Sequence, residues 1–304
     1  MPPWVLKAAL QGMTSLLPGA ERVNRLFQRY LTGSLELAEE TLLTKYARCR
    51  GHLASYAVHG GGARNPTVME LGTGWFPIAP IGFALAGAEE VYAVDVVSHL
   101  ARRQVIDVLR TFAAVGRRGA LEGVVPERLA RLEEVAASPE GDADDLLARV
   151  GVRNVIADAR TLTLPGKVDL IVSNNTLEHI PYEVMHDIFV RLGELAAGGG
   201  VMSHFIDMSD HYMNFDRSIG PYNFLKFSEP VWRLFNNKHQ YQNRLRLPDF
   251  RRLHAVTGWR IVEERNTAGS PEALRHLRLA RRFRRYREED LLVYESWMVS
   301  RRAA

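Results

Sequence analysis

The sequence predicts an α/β protein built on an open, mostly parallel sheet of seven strands with helices on both faces. Short apolar runs with β propensity alternate with stretches of helical spacing, as expected for such a sheet. The last two predicted strands are separated by one helical stretch, which suits an antiparallel edge. With 304 residues, 46% of them apolar, the protein is long enough for one large domain with insertions.

Seven apolar runs are predicted to be strands, and the segments between them are mostly helical. The strands are TVMELG (67–72), EVYAVDVV (90–97), VRNVIADAR (152–160), KVDLIVSNN (167–175), VMSHFIDM (201–208), WRIVEER (259–265) and LLVYESWMVSR (291–301). Helical spacing is found over 20–60, with a break near Thr32-Gly33, and in a helix that begins at Pro77 or Pro80 and ends at Gly87. An insertion over 98–150 is mainly helical. The segments 183–200, 247–258 and 270–288 are also predicted to be helical, and glycines end the segment 183–200. We expect a helical N-terminal extension or lid (1–65) ahead of the main domain (66–304), with a substrate cap near 209–247.

Charge and cysteine content restrict the class of protein. The single cysteine, Cys49, excludes an internal disulfide framework. No apolar run reaches the roughly 20 residues that span a bilayer, and the expected compartment is the cytoplasm. Seven arginines lie within 273–287, which suits either a nucleic-acid patch or an amphipathic helix with a solvated face. We favour the helix, because charge runs on helices are usually solvated.

Polar residues follow five of the predicted strands at the carboxyl edge of the sheet, where ligands of such folds bind. They are Glu70–Gly74, Asp95, Asp158, Asn174–His179 and Asp207–His211. A glycine turn after the first strand and an acid ending the second indicate a nucleoside site, because glycines admit a ligand close to the backbone and the acid binds ribose hydroxyls. Trp75 and Phe76 replace the third glycine of a dinucleotide site, which argues against an NAD-dependent oxidoreductase. Glu70 beside the turn suits a cationic ligand.

These motifs together resemble those of class I S-adenosylmethionine-dependent methyltransferases. The resemblance rests on ELGTGW, Asp95, the DAR at 158–160 and VDLIVSNNTLEHIP, and covers about 66–207 plus the final strands. It implies a Rossmann-like sheet, S-adenosylmethionine as cofactor and a transferase activity. It leaves the acceptor open, because the N-terminal helices, 98–150 and 209–247 depart from the compact family pattern.

The resemblance also implies roles for individual residues. Gly72 and Gly74, with Thr73 between them, would lie against the methionine part and the ribose. Glu70 would orient the turn or the amino end of the ligand, and Asp95 would hold the ribose diol. At the other end, Asp158 would take the adenine amino group, the backbone of Ala159 would donate to the ring, and Asn174 would line the floor near the sulfonium. Asp158 and Asn174 also suit purely structural roles, as a turn cap and a strand-end hydrogen bonder.

Histidines near the same edge are the candidate catalytic groups. Methyl transfer requires alignment and, for a hydroxyl acceptor, a base. We predict His211 as that base, with Asp207 and Asp210 fixing its tautomer, and His179 as a second candidate. His204, Asp207, Asp210 and His211 could instead hold a divalent metal, but any polar loop shows such spacing, so no metal is predicted.

The acceptor pocket is sought in 212–246, where eight aromatic residues alternate with asparagines and arginines. The aromatic residues could wall an organic substrate while Asn223, Asn243, Arg244 and Arg246 bind its polar groups, or they could simply pack over the sheet. The favoured function is O-methylation of a small molecule such as a sugar or natural product. An RNA methyltransferase and a non-catalytic cofactor-binding scaffold are the alternatives. The expected partner is a small-molecule acceptor rather than a nucleic acid, and a homodimer is left open.

Overall fold

A computed structural model describes residues 4–5, 37–236 and 241–302, and its centre is one seven-stranded sheet. The strand order is β3-β2-β1-β4-β5-β7-β6. The strands are β1 (Val68–Leu71), β2 (Val91–Asp95), β3 (Val152–Ile156), β4 (Val168–Asn174), β5 (Ala196–Asp207), β6 (Trp259–Ala268) and β7 (Val293–Arg302). Strands β1 to β5 pair in parallel, whereas β7 runs antiparallel to both β5 and β6. The predicted fold class, with its antiparallel edge, is confirmed.

Ten α-helices of the described residues connect and cover these strands. They are α1 (Glu39–His59), α2 (Ile78–Leu85), α3 (Arg102–Arg117), α4 (Pro126–Ala137), α5 (Ala143–Arg149), α6 (Tyr182–Leu195), α7 (Glu229–Phe235), α8 (Leu247–Val256), α9 (Glu272–Arg275) and α10 (Glu288–Leu292). Short 3-10 helices cover Leu177–His179, His211–Asn214, Asn223–Lys226 and Arg281–Arg285. The predicted helical insertion at 98–150 is therefore present as α3, α4 and α5.

Alternate residues of each central strand enter different cores, because successive side chains of a strand point to opposite faces of the sheet. Val68 of β1 packs with α1 to α5 on one face. Met69, the next residue, packs with α6 and α8 on the other face. Both faces of β1 and β4 are thus covered, which explains why these two strands read as nearly continuous apolar runs.

A third apolar cluster lies outside the two sheet faces. The predicted cap segment packs there against 274–292 through buried aromatic and leucine side chains: Tyr212, Tyr222, Phe224, Leu225, Trp232, Leu274, Phe283, Leu291 and Leu292, together with Trp4. The aromatic residues of this segment therefore pack mainly on one another and on the residues that follow β6.

Helix α1 of the predicted N-terminal extension is part of the main core. Leu42, Tyr46, Cys49 and Tyr56 are buried, and all four pack in the cluster that covers the first sheet face. The other predicted features of the extension, including the break at Thr32-Gly33, lie outside the described residues. Among the residues described, no helix combines the length and apolar composition that crossing a bilayer requires.

Two local predictions are wrong. Residues 270–288 do not form one helix: only α9 and the 3-10 turn Arg281–Arg285 are helical before α10 begins. The arginine-rich stretch instead packs along the third cluster, into which it buries Leu274 and Phe283. The predicted helical segment 183–200 ends at Leu195, because β5 already begins at Ala196 and its glycine-rich start pairs with β4 across a register shift.

Candidate functional site

A cavity of about 480 Å³ opens at the carboxyl ends of β1, β2 and β4, the edge at which such sheets bind ligands. Five of the sequence-predicted residues line it: Gly72, Gly74, Asp95, Asp158 and Ala159. His179, a candidate for catalysis, lines it as well. The other lining residues are Leu71, Trp75, Val96, His99, Ala157, Arg160, Asn175, Thr176, Ile180, Pro181, Val184 and Ile188.

The turn after β1 requires glycine at two positions. Gly72 has φ of +85° and Gly74 has φ of +70°, in the left-handed region that disfavours side chains. A Cβ atom on Gly72 would lie 2.4 Å from the Thr176 side chain. The glycine turn and the segment after β4 can therefore pack this closely only because residue 72 has no side chain. The Gly72 amide donates to the Val94 carbonyl at 2.8 Å, which fixes the turn on β2. Backbone therefore forms this wall of the cavity.

Asp95 joins the turn to the end of β2. Its Oδ2 accepts a hydrogen bond from the Gly74 amide at 3.0 Å, and its Oδ1 accepts one from the Val97 amide at 3.2 Å. The carboxylate is only partly buried and borders the cavity. Because each carboxylate oxygen has two lone pairs, Asp95 can still accept hydrogen bonds from a pair of ligand hydroxyls.

Asp158 lies at the far end of the cavity and combines two roles. Its Oδ1 accepts from the Arg160 amide at 2.9 Å, a turn cap, while the Arg160 guanidinium pairs with both carboxylate oxygens. The Arg160 side chain donates to this carboxylate and lowers its pKa to about 2. Asp158 is thus an anion at neutral pH, in a turn that also presents Ala159 to the cavity.

Trp75 forms a wall of the cavity without closing it. Its ring lies 4.5 Å from the ring of His99, centroid to centroid, at an interplanar angle of 34°. Both rings line the cavity between the glycine turn and the segment after β2. A flat ligand group could pack on this aromatic pair.

Three predicted cofactor residues lie beneath the turn rather than on the cavity: Glu70, Thr73 and Asn174 are absent from the lining. Asn174 Nδ2 donates to Glu70 Oε1 at 3.4 Å, and Asn174 Oδ1 lies 3.2 Å from His52 Nε2. The neighbouring asparagine borders the cavity instead. Asn175, with φ of +52°, turns the backbone so that it and Thr176 border the cavity.

Asn174 belongs to a buried polar network that extends from β7 to β1. Trp297 Nε1 donates to Ser203 Oγ at 3.0 Å, and Ser203 Oγ lies 2.7 Å from His52 Nδ1, whose other ring nitrogen faces Asn174. Burial lowers the pKa of His52 to about 3 and raises the pKa of Glu70 to about 7. Helix α1 therefore supports the glycine turn through a neutral imidazole.

The catalytic candidates lie together beside the cavity. The rings of His179 and His211 are 5.0 Å apart and nearly perpendicular, and His211 Nε2 lies 3.3 Å from Asp207 Oδ2. His179 Nδ1 donates to the Tyr241 carbonyl at 2.7 Å, which leaves Nε2 with a free lone pair. His179 is exposed where it borders the cavity, yet the protein packed around its ring desolvates it enough to lower its pKa to about 4. Burial opposes ionisation of Asp207, yet hydrogen bonds from His211 and Ser209 outweigh it and lower the pKa.

Asp210 and His204, the other two residues considered as metal candidates, make contacts of their own. Asp210 is fully buried, caps the 3-10 turn through the Tyr212 amide and accepts from Asn223, so it does not orient His211. His204 is a core residue of β5, bonded to Ser173 and stacked on Phe189. Among the described residues, the metal-ligating side chains that converge are Glu178, His179 and His211, whose ligand atoms lie within 4.8 Å of one another.

The sequence interpretation missed Glu178, although it lies in the quoted motif TLEHIP. A carboxylate directly before His179, at the end of a buried strand, was the available signal. Its burial could not be read from the sequence, since it depends on the 3-10 turn Leu177–His179, which turns both Leu177 and Glu178 inward.

The four polar residues expected to bind an acceptor bind protein groups instead. Asn243 donates to the Leu177 and Ile180 carbonyls, and Asn223 to Asp210. Arg244 donates to the Phe224 and Phe227 carbonyls and to Glu229, and Arg246 to those of Met208, Leu291 and Val293. None of the four lines the cavity. Through these bonds they hold the segment 208–246 to itself and to residues 177–180 and 291–293, and they satisfy backbone carbonyls there.

Comparison with known proteins finds likeness among solved structures only. No family model and no curated protein matches the sequence. Similar structures include magnesium protoporphyrin IX methyltransferase from Synechocystis with bound S-adenosylhomocysteine, at 16% identity and TM-score 0.46, over 86% of this protein and 83% of that one. An S-adenosylmethionine-dependent methyltransferase from Clostridium acetobutylicum is 9% identical, with TM-score 0.47, over 94% of this protein and 100% of that one.

A third similar structure is 1,6-didemethyltoxoflavin-N1-methyltransferase from Burkholderia thailandensis. It is 15% identical, with TM-score 0.46, over 100% of this protein and 92% of that one. All three are named methyltransferases, and the first and third contain S-adenosylhomocysteine. All three are too distant to assign a substrate or the role of a residue.

Proposed function

We propose that the protein is a class I S-adenosylmethionine-dependent methyltransferase acting on a small molecule, with a hydroxyl of a sugar or natural product as the acceptor. One observation carries the proposal: a cavity at the carboxyl edge of the sheet is lined by a glycine turn, Asp95, Asp158 and His179, and His211, outside the lining, packs on the His179 ring. The sequence resemblance supports the same class independently.

The residues present fit this cofactor. The volume of about 480 Å³ lies in the usual range for small-molecule sites. The Gly74 backbone can approach a ligand closely, because no side chain intervenes and its Cβ position is open. Asp95 can accept from a ribose diol, and Asp158 from an adenine amino group. Two carboxylates against the single Arg160 give this wall a negative balance, which suits a sulfonium cation better than a pyrophosphate.

Bound S-adenosylmethionine supplies a methyl group whose bond to sulfur breaks, with the electron pair staying on sulfur, as the acceptor oxygen forms the new bond. The protein need only align the acceptor, exclude water and remove the hydroxyl proton. His179, on the cavity wall, can position the acceptor. His211 is the proposed base, since Asp207 beside its ring would stabilise the imidazolium that forms.

A small acceptor is favoured over a nucleic acid by the pairing of the arginine-rich segment 273–287. Arg282 pairs with Glu229, Arg285 with Asp249, and Arg275 with Glu272. A phosphate backbone would have to compete with these acidic partners.

Binding of the cofactor and its demethylated product tests the proposal. We expect S-adenosylhomocysteine to raise the melting temperature and to bind with a stoichiometry of one by calorimetry. Asp95→Asn should weaken that binding at least tenfold, because the ribose loses a charged acceptor. Asp107→Asn is the matched control: it removes an equal charge from the exposed face of α3, where Asp107 pairs only with Arg103. A folded wild-type protein that shows neither heat nor a melting shift with millimolar ligand would contradict the proposal.

A further inference from the structure

We propose that Glu178, His179 and His211 form a binding site for one divalent transition-metal ion beside the cavity. The three ligand atoms lie within 4.8 Å of one another. Two ligands of one ion, each at about 2.1 Å, are separated by no more than about 4.2 Å. Side-chain rotations that close the group by about half an ångström therefore suffice to bring all three into coordination.

The buried carboxylate of Glu178 is the strongest evidence for a ligand. Its side chain is 2% exposed, and neither carboxylate oxygen has a hydrogen-bond partner among the described residues. A buried carboxyl without a partner is costly, and coordination to a cation would remove the cost.

His179 has one ring nitrogen engaged in a way that prepares the other for a metal, and a carboxylate lies beside the ring of His211. His179 donates from Nδ1 to the Tyr241 carbonyl, and metal-bound histidines usually make such a bond with the nitrogen that faces away from the ion. Asp207 lies 3.3 Å from His211 Nε2, the carboxylate–histidine arrangement found beside metal ligands.

The charge of the surroundings favours a cation. Glu178 and Asp207 supply two carboxylates, and Arg48 is the opposing guanidinium within range of both. Arg48 is itself directed elsewhere, since it donates to Asn175 Oδ1 at 2.8 Å and lies over the Phe205 ring. With neutral histidines the site keeps a net negative charge that an ion would compensate.

The donor set indicates which ions fit. Two imidazoles and one carboxylate suit Zn²⁺, Fe²⁺ or Co²⁺ better than Mg²⁺ or Ca²⁺, which prefer oxygen ligands. Three protein ligands leave at least one coordination position open, and His179 places the site on the cavity. If the proposed function holds, an acceptor hydroxyl could occupy that position, where the ion would lower its pKa and the proton would leave to water. His211 would then be a ligand rather than the base, because one lone pair cannot serve both.

The experiment measures Zn²⁺ binding to untagged, full-length protein by calorimetry after treatment with a chelator. We expect one ion per protein molecule with micromolar or tighter affinity. Glu178→Gln, which keeps the shape and removes the charge, should weaken binding at least tenfold, and His179→Ala at least as much. His186→Ala is the control, because His186 lies on the exposed face of α6 and pairs only with its neighbour Asp187. It should leave the affinity unchanged.

Two results would overturn the proposal: folded wild-type protein that binds no Zn²⁺, or binding that both site variants retain. Binding of S-adenosylhomocysteine to the same variants separates this failure from failure of the proposed function, since Asp95 and Asp158 are not among the proposed metal ligands. A protein that binds the nucleoside but no metal would refute the metal site alone.

Discussion

The stability of the free protein should depend on pH through Glu70, and the size of the effect follows from its burial. The Glu70 side chain is 2% exposed, and burial raises its pKa from 4.5 to about 7. The unfolded protein therefore releases this proton near pH 4.5, whereas the folded protein holds it until pH 7. Stability from this group is highest below pH 4.5 and falls as the pH rises to 7, after which it changes no further. A shift of this size corresponds to about 3 kcal/mol, of which about 2.5 kcal/mol is lost between pH 5 and 8.

The perturbation is Glu70→Gln, which keeps the oxygen that accepts from Asn174 and cannot ionise. We expect the free energy of unfolding of the variant, minus that of the wild type, to increase by about 2.5 kcal/mol between pH 5 and pH 8. Urea unfolding without ligand, followed by circular dichroism at four or five pH values, gives this difference. Taking the difference cancels the buried histidines, which act in the opposite direction below pH 6.5.

Glu134→Gln controls for the loss of a carboxylate, because Glu134 is exposed on α4. A difference between Glu70→Gln and wild type that stays constant with pH would refute the reasoning. It would mean that Glu70 is ionised in the folded protein, with water or Lys45 compensating its charge.

Three further outcomes follow from contacts described above. Gly72→Ala should abolish the melting shift caused by S-adenosylhomocysteine and lower the melting temperature by several degrees, whereas Gly166→Ala, in open space, should change neither. Burial lowers the pKa of His254 to about 4, so below pH 6 only the unfolded protein takes up a proton at this residue. His254→Leu should therefore reduce the loss of stability on acidification by about 1.4 kcal/mol per pH unit below pH 6, as measured by urea unfolding. Arg246→Met should destabilise the protein by about 3 kcal/mol in the same assay, since three buried carbonyls lose their donor, while Arg287→Met should cost under about 1 kcal/mol.

The residues that the sequence placed together at one edge of the sheet are those fixed by strand ends. Gly72, Asp95 and Asp158 follow parallel neighbouring strands, and the carboxyl ends of such strands meet at one edge whatever the loops do. Three short apolar runs were enough to bring these residues together. No knowledge of side-chain packing was needed for that step.

The errors arise where a side chain's direction depends on distant parts of the protein. Asn174 and Asn175 differ by one position, yet the left-handed backbone of Asn175 sends one side chain beneath the turn and the other to the cavity. Arginine is a residue type that often binds anionic ligands, but Arg246 is fully buried among backbone carbonyls. The stretch 273–287 has helical spacing, but the packing of Leu274 and Phe283 interrupts the helix.

Helix α1 shows why the site cannot be assigned to the sheet alone. Burial lowers the pKa of His52 to about 3, so the ring is buried in its neutral form. It lies between Ser203 and Asn174, within hydrogen-bond distance of both. Leucine there would leave the amide oxygen of Asn174 without its donor. Four residues earlier, one helical turn, Arg48 binds the Asn175 side chain at the point where the backbone turns to the cavity. Both asparagines are therefore positioned by one face of a helix that precedes the first strand. A substitution in α1 should therefore affect the glycine turn through Asn174 and Glu70, and the pair His179 and His211 through Asn175 and Glu178.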